Sequence, residues 1–313
     1  ATLADFVQTN RYPDFAQTEL RAALSDYTGV PASQIVCGAG LDDVFVAVAM
    51  ALINHGDEVI ISEPTFGVYR PLFELHGATV INAPLTADFA FQPDVVLQAV
   101  TERTKLIIIC CPNNPTGNLF PIEQIEQVCA HARCLVAIDE AYVEFSGQSH
   151  IPLMAKYPNV MILRTMSKWA GLAGMRVGYG LCPETIAPAF FQVVPPFHNV
   201  ALASSEAAIA SLEERDYLLD RVADICAERD RLVGEVNAIE GLHALDSVTN
   251  FVLIDTPFDD ARPLVNRIAE NGVLVRGYGD EILRGYLRVS VGSPRENNAF
   301  LAALRSSVKE MAG

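Results

Sequence analysis

No apolar run in the sequence approaches the roughly 18 residues that a membrane span requires, and no basic-then-apolar leader opens the chain. A membrane protein and a secreted precursor are thereby disfavoured, and a cytoplasmic protein is expected. Positive charge is also scarce: 22 Lys and Arg face 38 Asp and Glu, giving a net charge of −16. Such a chain repels nucleic acid and anionic membranes, so neither is expected as a partner. An anionic ligand would have to be held by a local cluster of arginines. Cysteines do not form a disulfide framework. Seven of them, an odd number, are scattered through strand-like and helix-like segments, as reduced core residues are. Cys129, His131 and Cys134 lie close together but read as a helix running into a strand, and no metal site is expected there. The sequence shows no internal repeat and no low-complexity stretch. It opens at Ala1 without a methionine, so a missing N-terminal part is expected.

Half of the 313 residues are hydrophobic and about a fifth are charged, which suits a sizeable buried core. Strand-like runs at 34–37, 58–62, 78–82, 105–110 and 134–139 alternate with helical patterns at 41–54, 64–76, 93–100 and 121–133. That alternation predicts an α/β fold, a mainly parallel central sheet covered by helices. Apolar segments at 159–163 and 177–182 follow, and residues 199–240 read as helical until Gly241. Short strands at 250–255, 273–276 and 286–291 with helices at 259–271 and 295–306 predict a smaller α+β domain. The expected division is a large domain over 30–225 and a small one made of 1–29 and 226–313.

The run Arg164-Thr-Met-Ser-Lys-Trp-Ala-Gly-Leu-Ala-Gly-Met-Arg176 frames Lys168 with hydroxyls, small residues and an arginine. A lysine is most often a solvated surface residue. Here the small residues permit close backbone approach, a surrounding suited to an amine holding a phosphorylated aldehyde as a Schiff base. The aldehyde expected is pyridoxal 5'-phosphate (PLP). It asks a protein for an amine, an acid at its ring nitrogen, donors to its phenolate oxygen and a cradle for its phosphate. Lys168 is the candidate amine and proton shuttle. Asp139, closing the strand-like Leu135-Val-Ala-Ile-Asp139, is the candidate acid, although an aspartate before Glu-Ala-Tyr also suits a helix cap. Tyr142 and Asn114, the latter in the turn Pro112-Asn-Asn-Pro-Thr-Gly117, are the candidate phenolate donors.

For the phosphate, Gly38-Ala-Gly40 leads from a strand into a helix that starts at Leu41. This resembles a dinucleotide fingerprint, but its third glycine is absent and Asp43 fills that place with a carboxylate. A monophosphate fits better, held by the backbone amides of Leu41 and Asp42 with Thr165, Ser167 and Arg176.

Several segments occur together in one order: Asn10-Arg-Tyr-Pro-Asp14, Gly38-Ala-Gly-Leu-Asp-Asp43, Glu63-Pro-Thr-Phe-Gly-Val-Tyr69, Pro112 to Gly117, Asp139-Glu-Ala-Tyr142, Ser167-Lys168 with Gly171 to Tyr179, and Leu287-Arg-Val-Ser-Val-Gly292. With them the chain resembles the fold-type I PLP aminotransferases of the histidinol-phosphate aminotransferase group, over almost its whole length. The resemblance implies that Phe66, where the family often has tyrosine, stacks on the pyridine ring. It implies that Tyr12 reaches the cofactor phosphate of a neighbouring subunit, giving a homodimer with shared sites. It further implies that Arg288 clamps a substrate carboxylate and that Arg276 helps to hold a substrate phosphate. The implied reaction passes nitrogen from L-histidinol phosphate to 2-oxoglutarate. A phosphothreonine-type decarboxylase and an aromatic or broad-range aminotransferase remain open within the same fold, and a non-catalytic PLP sensor domain attached to a regulator is the rival from another class, although no helix-turn-helix or basic patch accompanies this chain. Two departures stand out. The family's N-terminal segment with an asparagine-rich motif and a tyrosine closing over the substrate is absent, and Trp169 follows the lysine where other residues are common.

Overall fold

The computed structural model describes residues 10–192 and 198–312. Seven strands build the larger sheet: β1 (Ile35–Gly38), β2 (Glu58–Ile61), β3 (Thr79–Asn82), β4 (Thr104–Cys110), β5 (Leu135–Asp139), β6 (Val160–Thr165) and β7 (Gly178–Leu181). Their spatial order is β1-β7-β6-β5-β4-β2-β3, and only β7 runs antiparallel to its neighbours. Strands β5 and β6 are buried at every residue. That burial explains why such segments read as continuous apolar runs rather than as alternating ones. Helices on both faces close two apolar clusters, one holding Ile107, Ile138 and Tyr179, the other Phe45, Ile108 and Leu163.

The smaller sheet has the order β10-β11-β9-β8, all antiparallel, from β8 (His243–Ala244), β9 (Phe251–Asp255), β10 (Arg276–Gly277) and β11 (Tyr286–Ser290). Helices Arg262–Glu270 and Pro294–Ala312 accompany it, and Leu264, Ile268, Phe300 and Leu304 fill its core. The long helix Arg215–Asn237 joins the two parts. Its Val222 packs in the core of the large sheet, while Leu232 and Val236 pack in that of the small one. We propose a boundary near residue 225 on that ground.

The N-terminal segment differs from expectation. Residues 1–9 lie outside the described residues. Helix Thr18–Thr28, expected with the small domain, packs Leu20 and Leu24 into the core of the large sheet and lies against helix Leu202–Glu213. Leu20 and Leu24 are spaced i, i+4, so they form one apolar face, and the large sheet offers the surface that buries it. The helical pattern expected at 64–76 narrows to Tyr69–Leu75, because the residues before Val68 form a loop that turns toward the strand ends.

Candidate active site

Strands β4, β5 and β6 run parallel, so their carboxyl ends, Cys110, Asp139 and Thr165, meet at one edge of the sheet. Crevices outside such ends are where open α/β sheets bind ligands. A cavity of about 750 Å³ opens there, and residues of β10, β11 and the segment between them, such as Tyr278 and Leu283, also line it. Lys168, Asp139, Tyr142, Asn114, Phe66, Leu41, Asp42, Thr165, Ser167, Arg176, Arg276 and Arg288 all line it. Tyr12 does not. It is 86% exposed and stacks on His198 with ring centroids 5.1 Å apart.

Lys168 sits in the loop from β6 to β7, which is closed by the Met166 N–H donating to the Val177 carbonyl at 3.0 Å. Its side chain is open to solvent through the cavity, yet the surrounding protein and the Arg288 guanidinium lower its pKa. Its Nζ stands 5.7 Å from the centroid of the Tyr142 ring. Asp139 is buried, and burial raises its pKa to about 6 against hydrogen bonds from Tyr69 and the Ala141 N–H. Oδ1 accepts from the Ala141 N–H at 2.9 Å, so the local turn that a cap would make is present, and the carboxylate still borders the cavity. Burial likewise pushes the Tyr142 hydroxyl up, and Arg288 partly offsets this.

Where β1 ends, Gly40 has φ +88° at the N-cap of helix Leu41–Leu52. A Cβ at Gly40 would strike the Arg176 guanidinium, and one at Gly178, opposite Gly38 and Thr165 in the sheet, would strike the Leu41 backbone nitrogen. The cradle is therefore closed by backbone on backbone. Arg176 donates from Nη2 to Asp42 Oδ2 at 2.8 Å. Asp43 turns away from the cradle: its Oδ2 accepts from the Ala39 N–H and from Asn199, both at 2.8 Å. The carboxylate that spoiled the dinucleotide fingerprint thus braces the loop.

From the small sheet, Arg288 donates from Nη1 to Asn114 Oδ1, and its guanidinium lies 4.8 Å from the centroid of the Phe251 ring. Its Nε is buried without a partner. Arg276 stands directly opposite Arg288 in the pairing of β10 with β11. Tyr278, two residues beyond Arg276, borders the same cavity with a buried and unpartnered hydroxyl. Sequence reasoning missed Tyr278, although the two-residue spacing from Arg276 on an extended segment would have found it. It also missed Tyr69, whose hydroxyl donates to Asp139 Oδ2 at 2.5 Å. Trp169 lies away from the cavity's lining, stacked on Tyr27 at 5.2 Å with an interplanar angle of 14°.

The sequence profile of the family "Aminotransferase class I and II" matches residues 1–304. The chain belongs to this aminotransferase family. The aminotransferase is 41% identical over 302 residues to a histidinol-phosphate aminotransferase of Dehalococcoides mccartyi (strain CBDB1), an alignment covering 96% of this chain and 84% of the relative. It is 39% identical over 309 residues to an aromatic amino acid aminotransferase of Rhodococcus opacus (strain B4), covering 95% and 82%. Among solved structures, the histidinol-phosphate aminotransferase of Sinorhizobium meliloti in complex with pyridoxal-5'-phosphate superimposes with a TM-score of 0.88 at 28% identity, covering 97% of this chain and 84% of that one. The aminotransferase's two-sheet architecture is thus that of a protein solved with PLP.

Proposed function

We propose that the chain is a PLP-dependent aminotransferase that converts L-histidinol phosphate and 2-oxoglutarate to imidazole acetol phosphate and L-glutamate. The observation that carries this reading is the meeting, in one cavity, of Lys168, Asp139 and a facing pair of arginines. The relatives named histidinol-phosphate aminotransferase support the donor.

The residues present fit PLP. Lys168 is the amine for its aldehyde, Asp139 the acid for its ring nitrogen, and Asn114 and Tyr142 the donors for its phenolate. Phe66 covers a ring face. The amides of Leu41 and Asp42, with Thr165, Ser167 and Arg176, hold its phosphate. When bound, PLP supplies a ring that withdraws electrons from the substrate Cα. The protein does the rest. Burial and the Arg288 guanidinium lower the basicity of Lys168 Nζ, the direction that favours the neutral amine, which is the form that would accept the Cα proton. Asp139 holds the proton on the ring nitrogen. Arg288 and Arg276 bind the acidic group of the substrate, and a doubly charged phosphate is the group best matched to two arginines paired across adjacent strands at one cavity.

An aromatic amino donor is the second reading, favoured by the Rhodococcus relative. Purified protein carrying PLP, mixed with L-histidinol phosphate without an oxoacid, should lose its visible absorption band, and L-phenylalanine should be much slower. An unchanged band with histidinol phosphate and a lost band with phenylalanine would reverse the assignment.

The same reading makes the enzyme cytoplasmic and a homodimer, Tyr12 serving the partner's phosphate cradle. Support comes from the exposure of Tyr12 away from its own cavity, and from exposed Met50 and Leu75 on helices of the large unit. Among the described residues no helix is long and apolar enough to cross a membrane.

A further inference from the structure

Tyr69 opens helix Tyr69–Leu75 and is 1% exposed. Its hydroxyl is not part of the cavity wall, yet it donates to Asp139 Oδ2 at 2.5 Å across a sequence separation of 70 residues. Asp139 Oδ1 is held by the Ala141 N–H, so the carboxylate is gripped by both oxygens from two different elements. A carboxylate oxygen has two lone pairs, and these bonds leave acceptor capacity for the cavity. The ring of Tyr69 is itself fixed between Phe45, at 5.1 Å, and Phe66, at 5.4 Å edge-on. One buried side chain therefore touches both the acid and Phe66, the aromatic residue that would cover the PLP ring.

We propose that Tyr69 is a positioning residue for amino transfer, its hydroxyl holding the Asp139 carboxylate oriented and ionised for the pyridine nitrogen of PLP. The inference rests on the PLP reading above. The groups facing Asp139 are Tyr69, Cys110, Tyr142, Lys168, Asp42 and Glu140. Burial, Asp42 and Glu140 oppose its ionisation, and the Tyr69 hydroxyl is the strongest of the influences favouring it. Without that hydroxyl the carboxyl would keep its proton to higher pH. It would then pair poorly with a protonated ring nitrogen.

The test is PLP titration of apoprotein across about pH 5 to pH 9 for wild type, Tyr69→Phe, Asp139→Asn and the double variant. Tyr69→Phe keeps the packing ring and removes only the hydroxyl. It should bind PLP several-fold more weakly just above the wild-type Asp139 midpoint of about 6, with the gap closing both as the solution is acidified further and as it is made strongly alkaline. In the Asp139→Asn background the same change should cost less than about twofold. Equal affinity for Tyr69→Phe and wild type at every pH overturns the proposal. So does an equal loss in both backgrounds, which would make Tyr69 a packing residue. If Tyr69→Phe does not fold, 3-fluorotyrosine at position 69, a stronger donor of the same shape, should move the pH midpoint of PLP affinity downward. An unmoved midpoint overturns the idea. Wild-type protein that binds no PLP would instead sink the cofactor reading itself.

Discussion

Arg276 and Arg288 are paired directly opposite each other on the adjacent strands β10 and β11, where like charges are destabilising unless something sits between them. Few cations exist in this acidic chain to be spent so, and the arrangement makes sense as a socket for a dianion. Arg276→Ala should raise KM for L-histidinol phosphate by about tenfold to a hundredfold, the loss of one charged hydrogen-bonding partner. Steady-state kinetics with the phosphorylated donor and with L-phenylalanine check this, since the second should change little. Tyr278→Phe removes a hydroxyl with no hydrogen-bond partner among the described residues. It should leave the melting temperature nearly unchanged while weakening donor binding. Lys168→Ala should abolish both the visible band and turnover, as absorbance and a glutamate-release assay would show.

At the scale of the elements, the strand ends place the site, and contacts between loops close it. Gly178→Ala would push a methyl into the Leu41 backbone, where no side chain can rotate away. The expected cost is about 1–3 kcal/mol of stability, with weakened PLP binding, measurable by denaturation and by titration. The strands and their ends were legible because a buried parallel strand is a run of apolar residues stopped by a polar one. Leu135-Val-Ala-Ile-Asp139 carries its candidate acid at the stop. Spacing also carried the lysine loop and the phosphate cradle. What stayed hidden were partnerships set by tertiary structure. Leu20 and Leu24 announce an apolar face but not the sheet that buries it, and an aromatic ring at Tyr69 says nothing of a carboxylate 70 residues away. Motif order suggested the roles proposed for Arg276 and Arg288, whereas their direct opposition needed the strand register.

For the molecule as a whole, buried acids set the response to pH. Burial lifts Asp139 to about 6 and Glu144 to about 7. The folded state therefore binds protons that the unfolded chain has released, so these groups make apoprotein stability fall as pH rises from about 4 to about 7. Melting curves should show that slope, and Glu144→Gln should flatten its upper part. The proposed shared site makes a separate prediction. Mixed dimers formed from Lys168→Ala and Tyr12→Ala chains hold one intact site, so activity should reappear on mixing two impaired preparations and should be read against each alone. The helix Arg215–Asn237 bears on how such a site works. Its 23 residues make a rod of about 35 Å, rooted at one end beside the lysine-bearing sheet and at the other beside the arginine-bearing one. A tilt of about 5° moves its far end by about 3 Å, a full hydrogen-bond length. The arginines proposed to hold the substrate's acidic group thus belong to the sheet packed on one end of a rod that lines no part of the cavity, and substitutions along it should change turnover without altering a single residue of the cavity.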